Sequence, residues 1–211
     1  MKKILFYTLL LMLTITVNAQ DFAIAPTKLN LLYCGIDNPV KVVVENHSCT
    51  AINVITNNGT VKEGHGCEFY INPERAGVAN IKIQIITDGE TKLIGSSDFR
   101  VDYVPDPKAM IAGKNGGDIN RNLLIAQNYI AAESMDFDFE VIFKVKSFSV
   151  VINRGEEKDY SQDFQGNTLN PELKNAIRNA NIASTVRFEN IVAVGPDGKD
   201  RIIGPLEFVL R

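Results

Sequence analysis

The chain has 211 residues, 45% of them hydrophobic, with a formal net charge of −3. That length holds one large or two small domains. Its slightly acidic balance, with Lys and Arg scattered, leaves no basic footprint for nucleic acid, and the absence of Trp weakens a carbohydrate-binding reading.

Residues 1–19 have the three parts of a cleavable signal peptide. Lys2 and Lys3 form a positive start, Ile4 to Val17 is apolar, and Val17-Asn18-Ala19 offers a cleavage site before Gln20. A retained membrane anchor is the alternative, but the apolar run falls short of the ~20 residues that span a bilayer. No Cys stands at the cleavage point, which argues against a lipoprotein. The expectation is export, to a periplasmic or secreted location, with no membrane span in the mature chain.

Residues 20–104 read as a first β-sandwich domain. Val40, Val42 and Val44 line one face of a strand, and Ala51–Thr56 and Glu68–Ile71 read as two more. Ala79, Ile81, Ile83 and Ile85 alternate strictly, Asp88-Gly89 signals a hairpin, and the last strand or two lie in Lys92–Tyr103. Short strands at this spacing, with turn residues between them, indicate an immunoglobulin-like sandwich.

The three cysteines are Cys34, Cys49 and Cys67, and the two histidines make His47-Ser48-Cys49 and His65-Gly66-Cys67. Such pairs suggest a Cys₂His₂ metal site or a disulfide with bystander histidines. A three-residue hairpin loop at Asn57-Asn58-Gly59 would set Cys49 opposite Cys67. It would also leave each histidine ~7 Å from the centre. That geometry, and an oxidising compartment, favour a Cys49–Cys67 disulfide over a metal site, with free thiols as a third state. Cys34 reads as a small buried hydrophobe.

Asp98–Gly117 is the joint. Phe99, Val101 and Tyr103 alternate as a strand, then Pro105 and Pro107 stop it, because proline lacks the ladder N–H. Residues 105–211 then form a second β-rich domain. Asn120 or Asp118 can cap a brief helix over Leu123–Ala126. Phe137, Phe139, Val141, Phe143 and Val145 alternate with polar residues and predict a long strand with its aromatic face inward. The phase flips after Ser147, which predicts a bulge or a strand changing sheets. Asp136, Asp138 and Glu140 share the other face. Carboxylates along a straight strand diverge, so a solvated face fits them better than a calcium site or a catalytic pair. Asn170–Asn181 is the clear helix, with Asn170 as cap and Pro171 at its first position. Val186–Val194, the turn Pro196-Asp197-Gly198 and a last strand over Ile202–Leu210 complete the chain.

Four pieces of the sequence resemble one family. They are Tyr33-Cys34-Gly35-Ile36-Asp37-Asn38-Pro39-Val40, then Phe99-Arg100-Val101 through Val104-Pro105-Asp106-Pro107 to Ile111-Ala112-Gly113, then Asp136-Phe137-Asp138-Phe139, and finally Ile191 to Pro196-Asp197-Gly198-Lys199 with Arg201. Together they look like the last two periplasmic domains of GldM, the gliding-motility and type IX secretion protein. The resemblance implies two immunoglobulin-like β-sandwich domains in tandem, no catalysis, and a protein partner in the cell envelope. In the family one transmembrane helix anchors an extended dimer. Here a signal peptide stands in place of that helix and the first two periplasmic domains, so energy coupling through the inner membrane is not expected.

The leading expectation is therefore a non-enzymatic, exported protein-interaction module, an accessory to type IX secretion or gliding. The alternative is an extracellular immunoglobulin-like adhesin or ligand-binding protein. Against an enzyme, there is no G-x-S-x-G elbow and no Gly-rich phosphate loop after a strand; a Cys–His nucleophile at His65/Cys67 is the residual enzymatic option. No cofactor and no metal are expected. The candidate partner-binding loops are Gly155, Glu156, Glu157, Lys158, Asp159 and Tyr160, in the polar stretch Asn153–Asn167, and Pro196, Asp197, Gly198 and Lys199 around the second turn. Edge-strand pairing would allow a homodimer.

Overall fold

The computed structural model describes residues 22–26, 30–153 and 159–211. The signal peptide and Gly155–Lys158 lie outside the described residues. The fold is mainly β, with a sandwich-like, immunoglobulin-like arrangement and two short α-helices. No described helix is long and apolar enough to cross a membrane.

The first half contains eight strands: β1 (Phe22–Pro26), β2 (Leu31–Tyr33), β3 (Asn38–Val44), β4 (Ile52–Thr56), β5 (Thr60–Glu63), β6 (Glu68–Asn72), β7 (Gly77–Thr87) and β8 (Glu90–Asp102). They make two four-stranded sheets, ordered β1-β3-β6-β5 and β2-β8-β7-β4. Period-two alternation explains the core. Val40, Val42 and Val44 from one sheet and Ala79, Ile81, Ile83 and Ile85 from the other are all buried in a single cluster with Cys34, Phe69 and Phe99. The β7–β8 hairpin turns at Asp88 (φ 54°) and Gly89 (φ 82°), the paired positive angles of a type I′ turn.

The Asn57–Gly59 expectation is corrected. β4 pairs with β7, and β5 pairs with β6. The three residues therefore carry the chain from one sheet to the other, because the apolar faces of β4 and β6 must cover the same core from opposite sides. Asn58 fixes the crossing: its amide donates to the Arg75 carbonyl (2.8 Å) and accepts from the Glu74 and Arg75 N–H groups (3.2 and 3.3 Å). Cys49 sits in a 3₁₀ turn before β4, and Cys67 immediately precedes β6. A disulfide joins them, with Cα atoms 4.8 Å apart. It thus ties the entry to one sheet to the entry of a strand in the other, an arrangement that a hairpin did not supply.

The second half contains β9 (Lys108–Met110), β10 (Gly117–Ile119), α1 (Arg121–Ala126), β11 (Ala131–Glu133), β12 (Lys144–Asn153), β13 (Tyr160–Gln165), α2 (Pro171–Asn179), β14 (Thr185–Val194), β15 (Asp200–Ile203) and β16 (Leu206–Leu210). The main sheet runs β10-β16-β14-β12-β13, with β15 also on β14, and β9 and β11 form a separate two-stranded ribbon. The two helices and the ribbon supply a second layer. Leu124, Leu173 and Ile177 join Ala109, Ile130, Phe148, Phe188 and Phe208 in one core. Both caps follow from side chains. The Asn120 carbonyl accepts from the Asn122 and Leu123 N–H groups, and that of Asn170 accepts from Leu173 N–H at 2.8 Å.

Two sequence expectations fail in this half. The long strand from Phe137 does not form: β12 begins only at Lys144, and residues 136–143 are irregular. The alternation there has another cause, since Phe137 and Phe139 turn toward a ring in the first half. The predicted phase flip, by contrast, is a real irregularity, with register shifts between Val145, Ser147 and Ser149. The last strand, expected over Ile202–Leu210, is two strands, β15 and β16, broken at Gly204-Pro205.

Candidate functional site: the joint between the halves

Most of the pieces that carry the resemblance meet in space where the two halves touch. In the first half, the loop between β2 and β3 is closed by Asn38. Its side-chain oxygen accepts from Tyr33 N–H (2.8 Å), and its amide donates to the carbonyls of Tyr33 (2.8 Å), Ile36 (2.9 Å) and Ile71 (3.0 Å). This buried network makes the loop stiff and presents Gly35 at its tip. Gly35 has φ +73°, and a Cβ there would lie 2.5 Å from the Pro196 carbonyl oxygen. Only glycine permits both the backbone angle and the close approach. The tip of one half thus rests on the turn Pro196-Asp197 of the other.

Below that turn lies Arg201, on β15, with a side chain only 2% exposed. A guanidinium has five N–H donors, and each has an acceptor. Nε donates to Asp106 (2.7 Å). Nη1 donates to Asp197 (2.9 Å) and the Lys199 carbonyl (2.8 Å). Nη2 donates to the second Asp197 oxygen and to the Val104 carbonyl (3.1 Å). The ring of Phe143 lies 5.3 Å from the guanidinium carbon. Val104 and Asp106 flank Pro105, the proline that ends the β8 alternation. One side chain therefore ties the connecting segment to the turn of the second half, and the turn carries Gly35 of the first.

Electrostatics agree with the geometry. The Asp197 side chain is fully buried. Burial alone pushes its carboxyl up, but the Arg201 hydrogen bonds, the Lys199 N–H and the guanidinium charge outweigh it and hold it below the ordinary carboxylate range. Hydrogen bonding to Asp197 raises Arg201 further above its ordinary value, against the opposing effect of burial. The neighbouring Cys34 thiol is pushed up, first by burial and then by Asp197 and Asp102, so it stays protonated and unreactive at neutral pH.

Two aromatic contacts finish the joint. Tyr33 meets Phe137 edge-on at 4.9 Å and Phe139 at 5.7 Å, and the Lys199 ammonium sits 4.4 Å above the Tyr103 ring. This is where Phe137 and Phe139 go in place of a strand face.

The candidate loops divide accordingly. Asp197 is committed to Arg201, while Pro196, Gly198 and Lys199 stay exposed around it. Asp159 is exposed, and Tyr160 opens β13. Gly155, Glu156, Glu157 and Lys158 are outside the described residues. Cys49 and Cys67 lie away from the joint, at the far entry of the first sandwich. No group of three or more His, Cys, Asp or Glu among the described residues is placed to hold a metal ion.

Family models decide the relationship. The model described as the GldM third domain matches residues 21–102, and the GldM C-terminal domain model matches residues 105–211. The chain belongs to the GldM family. In its terms, the Arg201 joint is the seam between a GldM third domain and a GldM C-terminal domain. GldM domains are periplasmic parts of a cell-envelope component of gliding and type IX secretion. No curated protein matches the chain. Among solved structures, a chain from the work "Structural basis for Dscam isoform specificity" aligns over 91% of this chain at 11% identity, with a TM-score of 0.26. This chain spans about half of that one (52%), and the likeness is too low to carry weight.

Sequence reasoning placed Arg201 in the resemblance but gave it no role. The signal it missed is one of parity. On β15, Arg201 and Ile203 face in, while Asp200 and Ile202 face out, with Ile202 78% exposed. A hydropathy reading points Ile202 inward, and only the carboxylate four residues before Arg201 hints at the reverse.

Proposed function

We propose that this chain is a non-enzymatic, exported protein-interaction module of the cell envelope, built as two folding units, residues 20–104 and 105–211, that act as one rigid piece. The observation that carries the reading is the joint: a buried arginine with all five donors taken, at the seam of two GldM-type domains. A hydrolase needs a polar cleft with free chemistry, whereas here the buried Arg201 cluster is consumed in fixing the turn on which Gly35 rests to the connecting segment at Val104 and Asp106. A stiff two-domain piece suits a protein that presents surfaces to a partner at a set distance, as an accessory to type IX secretion or gliding. The loops at Gly155–Tyr160 and the exposed Pro196, Gly198 and Lys199 are the partner-facing candidates. Crosslinking in the native envelope tests the reading. It is expected to recover a protein partner, and purified protein is expected to turn over nothing on broad hydrolase panels. Recovery of no partner together with turnover of a small substrate contradicts it.

A further inference from the structure

The sequence holds two Asn-Gly pairs, Asn58-Gly59 and Asn115-Gly116. Asparagine is a thermally labile residue. A glycine after it leaves the next backbone nitrogen unshielded, since no Cβ stands beside that nitrogen. The nitrogen can then attack the asparagine side chain and close a five-membered ring. The structure treats the two pairs in opposite ways.

Asn58 is 3% exposed, and both ends of its amide are engaged, with the Arg75 carbonyl and with the Glu74 and Arg75 N–H groups. Ring closure there would break all three bonds. Asn115 is exposed, and among the described residues its side chain makes no hydrogen bond. The Gly116 N–H donates to no carbonyl among them. The pair hangs between two fixed points. Upstream, Ile111 and Lys114 exchange N–H to carbonyl bonds of 2.9 and 3.0 Å across a turn. Downstream, β10 pairs in parallel with Phe208–Leu210. Gly116 (φ +141°) and Gly117 (φ +88°) both take backbone angles that side chains disfavour.

We propose that Asn115 is a spontaneous modification site, whose conversion to isoaspartate loosens the β10 edge of the second half. The Gly116 nitrogen gives its proton to hydroxide and bonds to Asn115 Cγ. The Cγ–Nδ2 bond breaks, and ammonia leaves with a proton from water, which restores the hydroxide. One water then opens the succinimide. Opening at Cγ gives aspartate; opening at the main-chain carbonyl gives isoaspartate, whose backbone runs through Cβ and Cγ. The sum is amide plus water to acid plus ammonia, with nothing oxidised or reduced.

Isoaspartate adds one carbon, about 1.5 Å, to the main chain between points that the fold fixes. The added length has little room, because a Cβ on Gly116 would already lie 3.0 Å from the Glu207 carbonyl oxygen. The strain falls on β10, a three-residue strand at the end of its sheet. The inference is independent of the reading as an interaction module.

The test incubates the full mature chain in mild alkali and follows both pairs by peptide mapping with mass spectrometry. The Asn115 peptide is expected to show the amide-to-acid mass change as two products that separate by chromatography, at a rate that rises with hydroxide. In the folded chain Asn115 should outpace Asn58 by about tenfold or more, since Asn58 reacts only when its crossover opens. In urea the two rates should converge. Asn115→Gln should abolish conversion at that site, because a six-membered ring closes far more slowly, and its exposed position keeps the fold. Amide hydrogen exchange at Gly117–Ile119 should quicken in the aged native chain. It should not quicken in Asn115→Gln aged alongside, nor in fresh Asn115→Asp, which carries the charge without the extra backbone carbon. An Asn115 that stays an amide, or an Asn58 that converts as fast in the folded chain, overturns the proposal. So does isoaspartate at 115 with exchange along β10 unchanged.

Discussion

The joint between the halves and the irregular stretch Glu140–Ile142 in the second half treat polar groups in opposite ways. At the joint, the five donors of a buried guanidinium are matched by two main-chain carbonyls, the buried Asp197 carboxylate and the exposed Asp106 carboxylate. Along Glu140–Ile142, no backbone hydrogen bond forms among the described residues, and Ile142 is 79% exposed. A buried charge must be satisfied within the chain, because leaving it unpaired costs several kcal/mol. An exposed run of backbone needs no partner within the chain, because water satisfies it. The contrast separates polar groups that the fold must match from those it can leave to solvent.

The comparison breaks most sharply at Arg201. Arg201→Ala leaves Asp197 buried without its counter-charge, and a loss of roughly 3–5 kcal/mol in chemical denaturation is expected. Arg201→Lys should recover little of it, since an ammonium cannot reach five acceptors. Next comes the disulfide. Cys49→Ser with Cys67→Ser opens a link of sequence separation 18 and is expected to cost about 3 kcal/mol, mainly through the unfolded chain. Peptide mapping without reductant checks the bond itself, and three free thiols in exported protein would count against it. Gly35→Ala brings a methyl onto the Pro196 carbonyl at a left-handed backbone position, with an expected loss of about 1–3 kcal/mol. In the irregular stretch, Ile142→Ser should change stability by less than about 0.5 kcal/mol, because the side chain is already in water.

Acid sharpens the same contrast. The folded Asp197 carboxyl sits below its ordinary value. The stabilisation it gives is complete above the unfolded value of about 3.9 and is lost as pH falls through the depressed folded value. The joint therefore loosens on acidification and is insensitive to mild alkali, a trend readable in denaturation midpoints between pH 7 and 3.

What the sequence could tell follows the same division. Strands whose faces alternate against one large core were legible, as at Val40–Val44 and Ala79–Ile85, and so were helices whose caps are written locally, as at Asn120 and Asn170. The Asn57–Gly59 crossover was not, because a turn signal marks a change of direction and does not say which sheet receives the next strand. The Phe137–Phe143 alternation was misread because Phe137 and Phe139 answer to Tyr33, more than a hundred positions earlier, and Phe143 to Arg201, and none of them to a neighbouring strand. Arg201 was unreadable as a clamp because its acceptors come from Val104, Asp106, Asp197 and Lys199, which only the fold assembles. Local patterns report faces, and the joint is a long-range object.

The central proposal is that Arg201, by fixing the turn on which Gly35 rests to the connecting segment, keeps two β units as one body, and interdomain distance tests it most directly. Spin labels at Lys82→Cys and Asn179→Cys, both exposed positions, report one point in each half, while buried Cys34 and the disulfide-bonded Cys49 and Cys67 stay silent. A single narrow distance distribution is expected for the otherwise native chain, and a broad one for Arg201→Ala with the strand signal in circular dichroism retained. A broad distribution in the native chain, or a narrow one that Arg201→Ala leaves unchanged, would contradict the account.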